Sequence, residues 1–268
     1  RDTSTLGVSA PLLLLALPTG AALGEPVVTL VVPFENRTGS PTAAWVGEAL
    51  ADGLNSALMA SGSEPVTREE RRGIEQELGI GPTSVTTIAT RLKEAEELEA
   101  DRVILGQYSG TGGTLRVSAR IYTLVPASRG SEIILPSVPA ADIGALQVLL
   151  AQRLLPPAEQ PRTPFAPPAA ETRPEAYEAR MRALIEEDPA RRAALLERAV
   201  EIAPDYLRAR MDLARAWSDA GNDEKALLAL SRAPITGPPA LAAEAEAIQG
   251  TLALEAGQLT PAVDAFRR

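Results

Sequence analysis

The chain has 268 residues, 45% hydrophobic and 23% charged, which is enough for one or two domains with buried cores. It contains no histidine and no cysteine, so Ser-His-Asp and Cys-His nucleophile systems, thiolate chemistry, disulfides and His/Cys zinc sites are excluded. The formal charge of −9 is spread evenly, at −5 over residues 25–153 and −4 over residues 171–268. Neither half carries the concentrated basic face that displaces phosphate counterions, so nucleic acid is not an expected partner.

Residues 6–23 are apolar or small apart from Ser9 and Thr19, with a leucine-rich centre flanked by Pro11 and Pro18. That centre is short for a bilayer span of roughly 20 residues. With Ala22 and Gly24 three and one places before Glu25, residues 1–24 read as a secretory signal. The end of a membrane anchor is the second reading, because the chain starts at Arg1 and Asp2 offsets the leading charge; a core helix is the third.

Residues 27–34 are β-branched and apolar and predict a strand covered on both faces, leaving its sheet at Pro33. A turn over residues 35–41 follows, with Thr42 placed to cap a helix carrying Trp45, Val46, Ala49, Leu50, Leu54, Ala57 and Leu58 at helical spacing. A short strand at Val66 and Thr67 precedes a helix whose Thr67 and Glu70 have capping-box spacing. A further helix is predicted over residues 85–100. Its Glu94, Glu96, Glu97 and Glu99, with Asp101, read as a solvated face rather than a cation site. Strands follow at 102–109 and 114–125 around a glycine-rich hairpin, then a strand at 131–138 and a helix at 141–155. The order predicts an α/β domain over residues 25–155, with a mixed sheet and packed helices.

Val31-Val32-Pro33-Phe34-Glu35-Asn36-Arg37-Thr38-Gly39 resembles the opening of the TolB amino-terminal-like, FlgO and CsgG group of bacterial envelope domains. Gly47-Glu48-Ala49-Leu50-Ala51-Asp52 is similar to that group's first helix. Leu98-Glu99-Ala100-Asp101-Arg102-Val103-Ile104-Leu105-Gly106 is similar to its Gly-Ala-Asp-x-Val-x-x-Gly element, with Glu99 in place of the glycine. Residues 115–120 resemble the strand that follows, and Thr123 stands where an aspartate commonly ends it. The resemblance implies a non-catalytic α/β module of secreted, periplasmic or membrane-anchored proteins.

Residues 156–173 hold six prolines and predict an extended, semi-rigid linker. Over residues 174–268 the pattern turns helical with a period near 34. Arg210, Leu213, Ala214, Trp217, Gly221, Ala226, Leu230, Ala233 and Pro238 resemble the tetratricopeptide signature. Ala214 and Ala226 permit close helix approach, Trp217 and Leu230 fill the groove, Gly221 allows the turn and Pro238 stops the second helix. A weaker repeat precedes it, with Tyr177, Met181, Leu184, Leu196, Ala199 and Pro204. A third matches at Gly250, Gly257, Ala262 and Phe266, giving about two and a half repeats of an all-α helical-hairpin array with no polar capping helix.

The resemblance to tetratricopeptide repeats places Arg208, Met211, Arg215 and Ser218 on the concave face of the middle repeat. They are the candidate peptide-binding residues, two arginines seven apart that can clasp a carboxylate. The bland alternative is that they pair with Glu201, Asp205 or Asp212. No phosphate-cradling loop occurs, and no catalytic residue, metal or cofactor is expected. The sequence therefore predicts a non-enzymatic, periplasmic or secreted envelope scaffold that binds a protein or peptide. The alternative is the regulatory tail of a larger membrane-anchored kinase, cyclase or transcriptional regulator. In either case membrane association would come from the amino-terminal segment or a parent chain.

Overall fold

A computed structural model describes residues 27–161, 165–231, 235 and 238–267. The expected signal or anchor segment, residues 1–24, and Ala233 lie outside the described residues. The first module is a mixed seven-stranded sheet: β1 (Thr29–Val31), β2 (Glu35–Asn36), β3 (Arg102–Ser109), β4 (Thr114–Thr123), β5 (Ser128–Arg129), β6 (Ile133–Ile134) and β7 (Val138–Pro139). β1 and β2 run parallel to one side of β3, with Leu30 opposite Val103 and Glu35 opposite Gln107. β4 runs antiparallel on the other side of β3, and β5, β6 and β7 share the outer edge of β4.

The expected strand at 27–34 is shorter than its pattern and continues into the expected turn. Pro33 has no N–H, and the Phe34 N–H is diverted to the Gly47 carbonyl at 3.1 Å. The ladder breaks there and resumes as β2. Thr42 is not the helix cap: residues Pro41–Ala43 form a 3-10 turn, Ala44 precedes the helix, and the Thr42 hydroxyl bonds Ser40 Oγ at 2.8 Å. The strand expected at 131–138 is reduced to β6 and β7, because Pro136 lacks a ladder donor between them.

Helices α1 (Trp45–Ser61) and α4 (Ile143–Leu154) cover one sheet face, their Leu50, Leu54, Leu146 and Leu150 buried with Ile104, Tyr108 and Val117. The resemblance motifs meet here. A Cβ on Gly47 would lie 2.2 Å from the Phe34 carbonyl oxygen, and one on Gly106 2.2 Å from the Phe34 ring. Both glycines are demanded by contact, not by backbone angle. Helix α2 (Arg68–Glu77) carries the expected capping box, with reciprocal bonds between Thr67 and Glu70. Helix α3 (Ile88–Glu97) covers part of the other face, clustering Leu92 and Ala95 with Leu30 and Val103. After it, Glu99 adopts φ 51, in the left-handed region, at the position where the resembled element has glycine. A side chain there costs on the order of 1 kcal/mol.

The repeat module is three helical hairpins: α5 (Pro174–Leu184) with α6 (Pro189–Ile202), α7 (Leu207–Asp219) with α8 (Asp223–Ser231), and α9 (Pro239–Glu255) with α10 (Leu259–Arg267). Gly221 and Gly257 take φ 71 and 72 at the turns, as two successive repeats of one motif require. α8 is assigned through Ser231 and Pro238 immediately precedes α9, so that proline opens the third hairpin rather than stopping the second.

The proline-rich segment is not an extended free spacer. It makes two 3-10 turns, Pro157–Glu159 and Pro168–Ala170, with Pro168 buried and Phe165 packed on the main core. Glu159 pairs with Arg102, and the Ala169 N–H bonds Gln147 Oε1 at 3.2 Å. A single core then runs through both modules, joining Leu50 and Leu54 to Tyr177, Met181, Leu184 and Tyr206.

Candidate functional site

The face of α5 that corresponds to the concave side of a tetratricopeptide array is filled by α1. Gln147 Nε2 donates to the Tyr177 hydroxyl at 2.8 Å and to the Ala49 carbonyl at 2.7 Å. Tyr177 in turn donates to Asp52 Oδ2 at 3.0 Å. Buried Arg180 bonds Asp212 Oδ2 at 2.6 Å and lies 3.6 Å from Asp52 Oδ2. Burial opposes the charge on Arg180, but Asp212, Tyr206 and Asp52 outweigh it and hold the guanidinium firmly protonated. Burial also pushes Tyr177 well up, with Asp52 adding to it, and pushes Tyr206 up to about 12. Both hydroxyls stay neutral at every physiological pH.

Beside this contact the modules part into a cleft of about 780 Å³. Arg68, Glu69, Arg72 and Gln76, on one face of α2, form one wall. Asp212, Arg215 and Asp219 of α7, with Arg192 of α6, form the other, and residues 79–82 close the end. A Cβ at Gly73 would meet nothing within 4 Å, so the α2 wall is open there. Arg215 bridges the walls, 3.4 Å from Glu69 and 2.8 Å from Glu244. Arg68 reaches across α2's base to the Leu184 carbonyl and to Glu48. Cations and carboxylates share the two walls, a donor and acceptor set suited to recognising charge.

Of the four concave-face candidates, Arg215 alone lines this cleft. Arg208 turns away to Glu171 at 3.1 Å, Met211 is buried in the repeat core, and Ser218 is half-buried away from the cleft. Arg208 and Arg215 are held by different carboxylates, Glu171 for the one and Glu69, Asp212 and Glu244 for the other. Asp212 is the only one of their three expected partners that pairs with them among the described residues, 3.6 Å from Arg215. The missed residues are Arg68, Arg72 and Arg192. For Arg68 and Arg72 the signal was the unusually charged sequence of α2, which lacks the apolar stripe a free amphipathic helix needs; Arg192, on α6, had none.

Behind the α2 wall lies a buried charge network. Glu48 accepts from Arg71 Nη2 at 2.8 and 2.9 Å, and Arg71 Nη1 donates to the Val31 carbonyl at 3.2 Å. Glu75 accepts from Arg72 at 2.6 Å and from Arg91 at 3.1 Å, and Arg91 also bonds Glu94 at 2.6 Å. Glu94 is therefore not part of a solvated acidic face: it is 0% exposed, and its Oε1 has no hydrogen-bond partner. Burial pushes the Glu48 carboxyl up, but Arg71 and Arg68 outweigh it and hold it below the usual range. For Glu94 burial wins over Arg91 and its carboxyl is raised. A carboxyl raised on folding stabilises the fold while protonated, and that contribution is lost as pH rises through its raised value. The Glu94→Gln variant is expected to gain stability relative to the parent as pH climbs above the usual carboxylate range. Urea denaturation at stepped pH values checks this, and a difference that does not vary with pH refutes it.

No curated protein matches the chain. Among solved structures, the LpoB C-terminal domain from Salmonella enterica is 19% identical, over 44% of this chain and 87% of its own, with a TM-score of 0.35. Lipoprotein GNA1162 from Neisseria meningitidis is 16% identical over 42% and 81%, with a TM-score of 0.34. TolB from Acinetobacter baumannii is 17% identical over 48% and 28%, with a TM-score of 0.31. Residues 183–249, which take in α6, α7, α8 and part of α9, match the tetratricopeptide repeat family model, so this stretch of hairpins is similar to a protein-interaction array.

Proposed function

We propose that this chain is a non-catalytic cell-envelope adaptor that holds a polypeptide partner in the cleft between α2 and the repeat hairpins. The observation that carries the reading is the cleft itself, about 780 Å³ with charged helical walls drawn from two modules. A mixed-charge wall fixes the register of a polar peptide, and rim charges of this kind set specificity and association rate more than affinity. Arg215 supplies one of the recognition charges and Arg72 and Arg192 the others. The repeat match supports protein binding, and a sequence without histidine or cysteine supports a role without nucleophilic catalysis. The apolar run over residues 6–23 supports an envelope location.

A photo-crosslinking amino acid at Gly73 or Arg72, in cells expressing the chain, tests the reading. Adducts of one discrete mass from these positions, and none from exposed Glu97 on α3, are expected in the envelope fraction. Equal labelling from Glu97, or recovery of the chain in the cytosol, would overturn it.

A further inference from the structure

The hairpins repeat one register, and among the described residues it leaves the outer side of the last helix uncovered. Ala214, Gly221, Ala226 and Leu230 of the second hairpin recur as Gly250, Gly257, Ala262 and Phe266 of the third, and Leu196 of α6 holds the place of Leu230 in the first. Leu196 and Leu230 are each 1% exposed. α6 packs on α7, where Leu196 clusters with Leu207 and Met211, and α8 packs on α9, where Leu230 clusters with Leu241 and Ala245. The second helix of each hairpin is thus sealed by the first helix of the next.

Phe266, at the same place on α10, is 56% exposed. It is not a loose side chain. A Cβ on Gly250 would lie 2.7 Å from its ring, so one side of the ring is seated on α9 while the rest meets solvent. Leu259 and Val263 are exposed as well and complete an i, i+4, i+7 row with Phe266 along α10. Exposed Leu254 stands one turn after Gly250 on the same side of α9. Asp264 and Arg267 fall outside the row. Apolar side chains gathered on one face mark a contact surface, and this spacing is the seam by which two helices pair. The other end of the array offers no counterpart. None of the exposed large apolar side chains among the described residues belongs to α5 or α6, and α5 is packed on α1. Head-to-tail stacking of copies therefore has no receiving face, whereas the seam is complementary to itself about a two-fold axis.

We propose that α10 pairs with the α10 of a second copy of this chain, antiparallel about a two-fold axis near Val263. Each Phe266 then enters the gap between Leu259 and Val263 of the other copy, which takes the place that α7 takes over Leu196 and α9 over Leu230. The seam is short, so the pair forms with rising concentration and is not obligate. No residue of α10 lines the α2 cleft, so a pair carries two open clefts and holds two partner segments at once. That last consequence rests on the adaptor reading; the pairing does not.

Sedimentation of the full chain over a concentration series tests the pairing. The mass is expected to climb towards twice that of the chain and no further. Salt should not weaken the association, because the contact is apolar and two chains of charge −9 repel until screened. Val263→Glu, which sets two carboxylates at the axis, is expected to weaken association about tenfold or more. Val85→Glu, at an exposed apolar position of the first module, should leave it unchanged. The chain has no cysteine, so under mild oxidant Val263→Cys is expected to give a covalent dimer and Val85→Cys none. Circular dichroism checks that each variant is folded, and Val263→Lys serves should Val263→Glu not fold. A mass that stays constant with concentration, one that grows past twice the chain, or association retained in Val263→Glu would overturn the proposal. So would native protein whose intact mass shows a further hairpin after Arg268, since that hairpin would take the seam. Loss of the discrete Gly73 adducts with pairing intact would instead count against the adaptor reading alone.

Discussion

Replacing Arg71 with methionine is expected to remove about 3–5 kcal/mol of unfolding free energy, the usual cost of stranding one charge of a buried pair. Arg71 is 2% exposed and Glu48 5% exposed, and Arg71 supplies two of the three hydrogen bonds that Glu48 accepts. The same guanidinium satisfies the Val31 carbonyl at the end of β1, so its loss also orphans a sheet acceptor. Methionine keeps most of the side-chain volume and none of these bonds. Chemical denaturation of the variant reads the loss directly. The double variant Arg71→Met with Glu48→Gln should recover part of it, because no unpaired buried charge remains. A loss below about 1 kcal/mol in the single variant would show that water or relaxation reaches Glu48, and the network would not be the anchor of α2 that its geometry describes.

The second large effect concerns the union of the two modules. Arg180→Met leaves Asp52 and Asp212 facing each other without the cation between them, a repulsion added to a lost charge-assisted bond of 2.6 Å. A destabilisation of about 3 kcal/mol is expected, concentrated at the contact between α1 and α5. The chain carries its own reporters, with Trp45 in α1 and Trp217 in α7. Single-tryptophan versions, each with the other residue changed to phenylalanine, follow the two modules separately. In the parent the two fluorescence transitions should coincide, as one shared core requires. In Arg180→Met the Trp217 transition should come first, at lower urea, with Trp45 following. Coincident transitions in the variant would mean that the apolar contact of Tyr177, Met181 and Leu184 with α1 suffices to couple the modules.

Local pattern made much of the architecture legible. The capping box at Thr67, the borders of β3, the hairpin after it and the left-handed turns at Gly221 and Gly257 rest on neighbours within a few residues, where side-chain type and spacing act directly. Failures came where one backbone group had a distant option. The Phe34 N–H could stay in a ladder or turn to Gly47, and the sequence alone does not rank the two. Glu94 was read as solvated because four nearby acidic residues suggested an outer face, whereas Arg91, one turn earlier, draws it inward.

The sequence by itself determined that there are two modules, that one is a mixed sheet with packed helices and the other a stack of helical hairpins, and that histidine and cysteine chemistry is absent. It also placed Arg208, Met211, Arg215 and Ser218 on one side of a helix. Only the tertiary structure decided what that side meets. Tyr177 bonds Asp52 from 125 residues away, and Arg182 bonds the Thr42 carbonyl from 140 away. Periodicity specifies which residues face a neighbour, but it carries no record of which distant surface that neighbour is. Docking of α5 on α1 filled one end of the concave face, divided its arginines between different partners, and left the α2 cleft as the place where both modules present charge together.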